Sequence, residues 1–218
     1  MKIPISVGLL FIALLSPCVA DPAKWEKDIA AFETADREHP AEKGEIVFTG
    51  SSTIRRWTTL AQDFPGFRVV NRGFGGSQME DSLYFADRIL IPRDPAAIVI
   101  FAGSNDINAG KTPGQVLENF RAFVGKVRSK LPKTPINFIE ITSSPKRWEQ
   151  REKVVEANRM IRAFCEETPG VKFIVVREKF FGTNGEPREE LYVSDRLHPN
   201  GDGYKILTEA IRPVLPKQ

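Results

Sequence analysis

Five short runs of apolar residues alternate with amphipathic segments along the chain, and this alternation limits the possible folds more than any other feature of the sequence. The clearest run is Ala-Ala-Ile-Val-Ile-Phe-Ala at 96–102. Its apolar residues are continuous, which is typical of a strand that is covered on both faces. Five such strands separated by helices predict an α/β fold, a three-layer α/β/α sandwich around a five-stranded parallel sheet. The predicted strands lie at 45–49, 67–71, 96–102, 136–141 and 173–176.

The segments between the predicted strands have the periodicity of helices that cover a sheet on one side. In the longest of them, at 112–131, Val116, Phe120, Phe123 and Val127 fall on one face. Another helical pattern follows the first strand and runs through Leu60. The other predicted helices lie at 21–39, 79–91, 148–167 and 203–214, and the stretch 177–194 is predicted to be a polar loop.

The first twenty residues have the composition of a secretory signal peptide. Lys2 precedes an apolar stretch at 3–15, and small residues lead to Ala20, after which we expect cleavage. The apolar stretch is short for a membrane span, so we expect no stable span after cleavage. These features predict a secreted or periplasmic protein with a signal peptide at 1–20, an N-terminal helix packed on the body at 21–44 and the main domain at 45–218. An uncleaved N-terminal anchor is the alternative.

Charge and cysteine content argue against several classes of partner and cofactor. The chain has 31 Lys and Arg against 28 Asp and Glu and no long block of one sign, so we expect no nucleic-acid partner. Cys18 would leave with the signal peptide, and Cys165 would then be an unpaired cysteine buried in a helix. Two cysteines and two histidines are too few for the usual zinc sites, so we expect no metal.

The residues that follow the predicted strands have the side chains needed for acyl transfer to a nucleophile. Active sites of parallel sheets form at the carboxyl ends of the strands. Ser52, Gly76 and Asn105 follow the first three strands, and Asp195 and His198 stand in the last loop. A serine hydroxyl needs a histidine base, and that histidine needs a carboxylate to orient it. A glycine N–H and an asparagine amide can stabilise the oxyanion that forms when an ester is attacked.

Four blocks of this sequence resemble the SGNH hydrolases, also called GDSL-like esterases and acylhydrolases, and they occur in the family's order. The blocks are Ile-Val-Phe-Thr-Gly-Ser-Ser at 46–52, Asn-Arg-Gly-Phe-Gly-Gly-Ser at 71–77, Gly-Ser-Asn-Asp at 103–106 and Asp-Arg-Leu-His-Pro at 195–199. The form of the second block is most like the platelet-activating-factor acetylhydrolase branch. The resemblance implies a flavodoxin-like sandwich and a hydrolase that needs no cofactor.

The same resemblance assigns roles to five residues. Ser52 would be the nucleophile, with His198 as its base and Asp195 as the third member of the triad. Gly76 and Asn105 would form the oxyanion hole together with the backbone N–H of Ser52. The family's Asp before the nucleophile is replaced here by Ser51, which leaves two adjacent hydroxyls, and alignment favours Ser52 as the attacking one.

The expected activity is that of a secreted serine esterase that cleaves short-chain esters, acetyl esters in particular, of a small molecule or a carbohydrate. The polar stretch 177–194 lacks the apolar segment that a lid over a fatty acyl chain would need. The alternatives are a lysophospholipase or lipase for longer chains, an inactive carbohydrate-binding relative, and a flavodoxin-like module that binds phosphate or flavin through the loop at 49–53. Arg55 and Arg56 are interpreted as a solvated helix face, with an anion clamp as the alternative.

Overall fold

The computed structural model describes residues 22–217. The predicted signal peptide at 1–20 lies outside the described residues. Within them, five strands form one parallel sheet. These strands are β1 (Ile46–Gly50), β2 (Val69–Gly73), β3 (Ala97–Phe101), β4 (Ile136–Ile139) and β5 (Val171–Ile174). The predicted five-stranded parallel sheet is therefore confirmed.

The strand order is β2-β1-β3-β4-β5, and it places a reversal beside β1. The chain passes from β1 to β2 on one side and then crosses to β3 on the other side of β1. In open parallel sheets, sites form beyond the carboxyl ends of the strands at such a reversal. The residues that follow β1 and β3 are therefore brought together at the carboxyl end of the sheet.

Helices cover both faces of the sheet. They are α1 (Glu26–Glu38), α2 (Ser52–Arg55), α3 (Leu60–Asp63), α4 (Met79–Ile89), α5 (Ser104–Asn108), α6 (Pro113–Lys130), α7 (Arg151–Glu167), α8 (Arg177–Phe180) and α9 (Gly201–Ile211). One apolar core lies between the sheet and α1, α4, α6 and α7, and includes Val47 and Ile98. The other core lies beneath α2, α3, α8 and α9, and includes Phe48 and Val99. Neighbouring strand residues thus face opposite cores, which explains why the apolar runs are continuous.

Helix α1 is joined to the body by apolar and ionic contacts. Trp25, in the 3-10 turn before it, and Ile29 are buried in the first core. Asp36 accepts hydrogen bonds from Arg72 and Arg93.

None of the helices within residues 22–217 has both the length and the apolar character needed to cross a bilayer.

Cys165 is buried in α7, as predicted. Burial raises the pKa of its thiol to about 12, so the group packs as a small apolar side chain.

The helix predicted to run through Leu60 is wrong, because two single turns, α2 and α3, stand in its place. Thr58 and Thr59 separate the two turns, and β-branched residues are poor helix formers. At this break Trp57 is buried, and its Nε1 donates a hydrogen bond to Asp63 Oδ2 at 2.6 Å. The interruption lets the indole enter the core.

The two outer strands, β2 and β5, begin two residues away from their predicted starts. Both are edge strands, and β5 exposes Lys172 while β2 includes the polar Asn71 and Arg72. Their apolar runs are short, so the sequence located their ends less accurately than those of the central strands. The predicted polar loop at 177–194 contains α8 and a 3-10 turn, whose Phe180 and Leu191 are buried.

Candidate active site

Ser52 is held at the carboxyl end of β1 by a turn that requires glycine. Gly50 has a φ of 116°, and a Cβ at that position would lie 2.1 Å from the carbonyl oxygen of Phe101 on the neighbouring strand. The next residue, Ser51, donates its N–H to the same oxygen at 2.9 Å. The chain then enters α2, whose first residue is Ser52. The close approach of the Gly50 backbone to Phe101 and the hydrogen bond of Ser51 fix the start of α2 against the end of β3.

Three predicted residues, Ser52, His198 and Asp195, form one hydrogen-bonded chain. The Oγ of Ser52 lies 2.7 Å from Nε2 of His198, and Nδ1 of His198 lies 2.7 Å from Oδ2 of Asp195. Both distances are those of short hydrogen bonds between well-placed partners. The other carboxylate oxygen, Oδ1, accepts the backbone N–H groups of Leu197 at 2.9 Å and His198 at 3.0 Å. Asp195 therefore orients the imidazole and the loop that carries it.

The loop that carries His198 is tied to its surroundings at both ends. The carbonyl of His198 accepts the N–H of Val193 at 2.9 Å. Arg196, at the tip, has the left-handed φ of 59°. Asn200 caps α9, because its Oδ1 accepts the N–H groups of Asp202 at 3.0 Å and Gly203 at 3.1 Å. These bonds hold His198 with only 8% of its surface exposed.

The carboxylate of Asp195 is electrostatically suited to remain ionised beside His198. Burial is the largest single influence and raises its pKa, but hydrogen bonds from the backbone and imidazole of His198, with that from Leu197, together outweigh it. The pKa of Asp195 therefore lies well below its ordinary range. Arg56 adds a further contact, since its Nη1 lies 3.1 Å from Asp195 Oδ2.

Asn105 and Gly76 border the same cleft as His198. Asn105 is the second residue of α5, and Gly103, just before that helix, has a φ of 110°. The Nδ2 of Asn105 donates to the carbonyl of Ser77 at 2.9 Å, which joins the end of β3 to the loop after β2. Gly76 lies in that loop with a φ of 79°. The structure thus brings all five predicted site residues to one cleft.

Asp106, the residue after Asn105, also contacts the segment that follows β2. It is fully buried, and its two carboxylate oxygens lie 3.1 and 3.0 Å from the N–H of Met79, the first residue of α4. Burial raises the pKa of Asp106 to about 6, although the nearby Lys111 acts in the opposite direction. The carboxyl group therefore couples the position of Asn105 to the loop that carries Gly76.

Arg147 is a site residue that the sequence analysis missed. It lies in the 3-10 turn Pro145–Gln150, which precedes α7. Its two Nη atoms donate to Ser104 Oγ at 2.8 Å and to Asn105 Oδ1 at 3.0 Å. The sequence feature that could have found Arg147 is its position after β4, because the other site residues also follow the carboxyl ends of strands. Arg56 is solvated, as interpreted, with its side chain 54% exposed, but its contact with Asp195 was not foreseen.

The space beside Ser52 has a narrow part and a wide part. The narrow part is a cavity of about 20 Å³ bordered by Phe101, Thr142 and Arg147. That volume holds one water-sized group. The wide part is a cleft of about 660 Å³ bordered by Arg55, Gly76 and other residues. Ser52, Asn105 and His198 border both. Among residues 22–217 no group of three His, Cys, Asp or Glu side chains is arranged to hold a metal ion.

Comparison with known protein families identifies the family to which this chain belongs. The model of the GDSL-like Lipase/Acylhydrolase family matches residues 34–206, which is most of the chain. The chain belongs to this family. The resemblance inferred from the four sequence blocks is thereby confirmed, and the protein is an ester-hydrolysing enzyme of the GDSL-like class.

Solved structures share the fold of this GDSL-like enzyme. A protein from Streptococcus pneumonia described as a candidate platelet activating factor is 23% identical, with a TM-score of 0.79 over 89% of this chain and 94% of that one. A candidate acylhydrolase from Bacteroides fragilis is 20% identical, with a TM-score of 0.75 over 85% and 94%. A variant of an acetyl-xylooligosaccharide esterase from Geobacillus is 16% identical, with a TM-score of 0.63 over 82% and 96%. None of the curated proteins compared with this chain has a significantly similar sequence.

Proposed function

We propose that this GDSL-like enzyme is a serine esterase that removes short acyl groups, acetyl groups above all, from a small-molecule or carbohydrate alcohol. The observation that carries the proposal is the hydrogen-bonded chain from Ser52 Oγ through His198 to Asp195. A flavin- or phosphate-binding module has no use for this chain of contacts.

The first half of the reaction forms an acyl-enzyme. Ser52 Oγ attacks the ester carbonyl carbon while its proton passes to His198 Nε2, 2.7 Å away. The carbonyl oxygen becomes an oxyanion, which accepts hydrogen bonds from the backbone N–H groups of Ser52 and Gly76 and from Asn105 Nδ2. When the intermediate collapses, the bond to the alcohol oxygen breaks and His198 returns the proton to that oxygen.

The second half of the reaction releases the acid. His198 Nε2 takes a proton from a water molecule, whose oxygen attacks the acyl carbon on Ser52. The second tetrahedral intermediate uses the same oxyanion donors. It collapses to the carboxylic acid and free Ser52, which regains its proton from His198. Asp195 stays ionised throughout and stabilises the imidazolium in both halves.

The size of the narrow cavity supports a short acyl group. About 20 Å³ beside Ser52 accommodates the methyl of an acetyl group, whereas the alcohol has the wide cleft of about 660 Å³. A long acyl chain would have to leave the narrow cavity and extend into the open cleft, where added methylenes stay partly in contact with water and gain little burial. This disfavours the lysophospholipase or lipase alternative.

The proposed site of action outside the cytoplasm rests on the sequence of residues 1–20 alone.

A series of 4-nitrophenyl esters from acetate to palmitate tests the proposal. We expect kcat/KM to be highest for acetate and to fall steeply as the acyl chain lengthens, because the methyl of an acetyl group already fills the acyl cavity. The same reactions with Ser52→Ala give the background. Equal or rising kcat/KM toward palmitate would overturn the short-chain assignment, and hydrolysis that survives in Ser52→Ala would overturn the serine mechanism.

A further inference from the structure

The wide cleft beside Ser52 is strongly basic. Among the described residues that border it, three are arginines, Arg55, Arg56 and Arg147, and none is acidic. This is unexpected for a site that would take a neutral ester, because the proposed oxyanion donors are neutral N–H groups and none of the three arginines is among them. The three side chains differ in how much of their charge is already compensated.

The charge of Arg56 is used within the site. Its guanidinium lies 3.1 Å from the carboxylate of Asp195, which also faces His198. Arg56 therefore faces a fixed negative charge.

Arg55 is the most available of the three. Its nearest carboxylate, that of Asp28, lies 3.9 Å away, beyond hydrogen-bond distance. The side chain is 56% exposed and lies across Gly75, where a Cβ would come within 2.7 Å of its Nη1. The absence of a side chain at Gly75 thus lets the guanidinium lie over the loop at the mouth of the cleft. Its donors face solvent one helical turn beyond Ser52.

Arg147 adds another positive charge to the border of the cleft. Its Nη atoms bond only neutral oxygens, those of Ser104 and Asn105, and among residues 22–217 it forms no ion pair. Burial lowers its pKa without a carboxylate to counter that effect. A partly buried cation without a counter-ion favours the approach of a negative charge.

We propose that the ester bound by this site carries a negatively charged group, a carboxylate or a phosphate, on its alcohol portion, and that Arg55 binds this group. The inference rests on the proposed esterase function. The charge belongs to the alcohol portion because Arg55 borders the wide cleft and not the narrow cavity that would take the acyl group. Guanidinium groups bind carboxylates and phosphates through paired N–H donors. Arg147 contributes positive potential, since its two Nη atoms already bond Ser104 and Asn105.

Matched acetyl esters test the proposal. Methyl 4-acetoxybenzoate is neutral, 4-acetoxybenzoate carries a carboxylate on the alcohol portion, and 4-acetoxyphenyl phosphate carries a phosphate there. Each kcat/KM is divided by the rate constant of hydroxide-catalysed hydrolysis, which corrects for the reactivity of the ester. We expect the corrected kcat/KM to be about tenfold or more higher for at least one anionic ester than for the neutral one at low salt. The two anionic arms distinguish a carboxylate from a phosphate.

Variants then locate the preference. Arg55→Gln should bring the ratio of anionic to neutral ester close to one, while Arg55→Lys should keep part of it. Arg162→Gln is the matched control, because Arg162 has a similarly exposed side chain, 58%, but pairs with Glu166 on α7 away from the cleft. The ratio in this control should equal that of the wild type. Raising the salt concentration should reduce the wild-type ratio, because counter-ions screen exposed charges, and this holds even if Arg55→Gln fails to fold.

The outcomes separate this proposal from the proposed function. Hydrolysis of the neutral ester with no preference for either anionic ester overturns the anion proposal and leaves the esterase intact. A preference that is unchanged in folded Arg55→Gln, or unaffected by salt, overturns the assignment to Arg55. Failure of the wild type to hydrolyse any of the three esters contradicts both proposals.

Discussion

Arg147 Nη2 donates a hydrogen bond to Asn105 Oδ1 at 3.0 Å, and this bond fixes the orientation of the asparagine amide beside Ser52. With Oδ1 held by a cation, the Nδ2 end is turned toward Ser77, whose carbonyl accepts one of its two N–H groups at 2.9 Å. The second N–H remains for the oxyanion. Arg147 is therefore a positioning residue for the proposed oxyanion hole.

Removing the amide of Asn105 should slow turnover. Loss of one oxyanion donor typically lowers the rate by about 10²–10³. We expect Asn105→Ala to lower kcat for 4-nitrophenyl acetate by that factor with little change in KM, because the donor acts on the transition state. Asn108→Ala, at the other end of the same helix, is the control and should retain wild-type kcat. A folded Asn105→Ala with normal kcat would exclude this residue from the oxyanion hole.

Arg147 should act through Asn105, which a double-mutant cycle can measure. We expect Arg147→Met to lower kcat by roughly tenfold, because the amide is then free to turn. Arg147→Lys should recover part of the loss, since one ammonium cannot reproduce both bonds. In the Asn105→Ala background, Arg147→Met should have almost no further effect on kcat. Additive losses would show that Arg147 acts independently of the amide.

Asp106 should make the stability of the fold depend on pH in mildly acidic solution. Its pKa is raised to about 6 by burial, above the value of about 3.9 for an unfolded chain. Between these two values the folded state retains a proton that the unfolded state releases, so the contribution of Asp106 to stability falls as pH rises from about 4 to 6.

Asp106→Asn removes this titration while keeping an oxygen for the N–H of Met79. The free energy of unfolding of the wild type, measured by urea denaturation, should therefore fall relative to that of Asp106→Asn by roughly 2 kcal/mol between pH 4 and 7. Other titrating groups contribute to both proteins and largely cancel in the difference. A constant difference across this range would contradict the account.

The sheet, and the gathering of the five candidate site residues at one cleft, could be predicted from the sequence because both leave local signals. The buried strands are continuous apolar runs, and Ser52, Gly76, Asn105, Asp195 and His198 lie in short blocks with fixed spacing. Because those blocks follow strands of a parallel sheet, their order along the chain predicts that they meet at the carboxyl end of the sheet.

Arg147 and Arg56 could not be found in the same way, because their roles depend on contacts between distant parts of the chain. Arg147 stands 42 positions from Asn105, and Arg56 stands 139 positions from Asp195. An isolated arginine in a loop or on a short helix gives no periodic signal. The break between α2 and α3 was also missed. Its local signal, the β-branched Thr58 and Thr59, is weak, and the burial of Trp57 depends on packing against Phe48, Phe64 and Tyr204.

The Asp195 carboxylate should matter much more for turnover than the arginine beside it. Asp195→Asn keeps the shape of the side chain but removes the charge that orients and stabilises the imidazolium, a change that can cost on the order of 10⁴ in kcat. Arg56→Gln removes an exposed ion-pair partner, and such pairs have small energies, so kcat should fall by less than about tenfold. Steady-state kinetics with 4-nitrophenyl acetate measures both. Comparable losses in the two variants would contradict this ranking.

Ser52, rather than Ser51, is the proposed nucleophile, and the kcat values of Ser52→Ala and Ser51→Ala for 4-nitrophenyl acetate distinguish the two serines. The Ser52 hydroxyl lies 2.7 Å from His198, whereas the Ser51 side chain makes no capping bond to α2 and should be replaceable by alanine. We expect Ser52→Ala to lower kcat by about 10⁴ or more and Ser51→Ala to remain within about tenfold of the wild type. Near-normal kcat in Ser52→Ala, or a greater loss in Ser51→Ala, would contradict the claim.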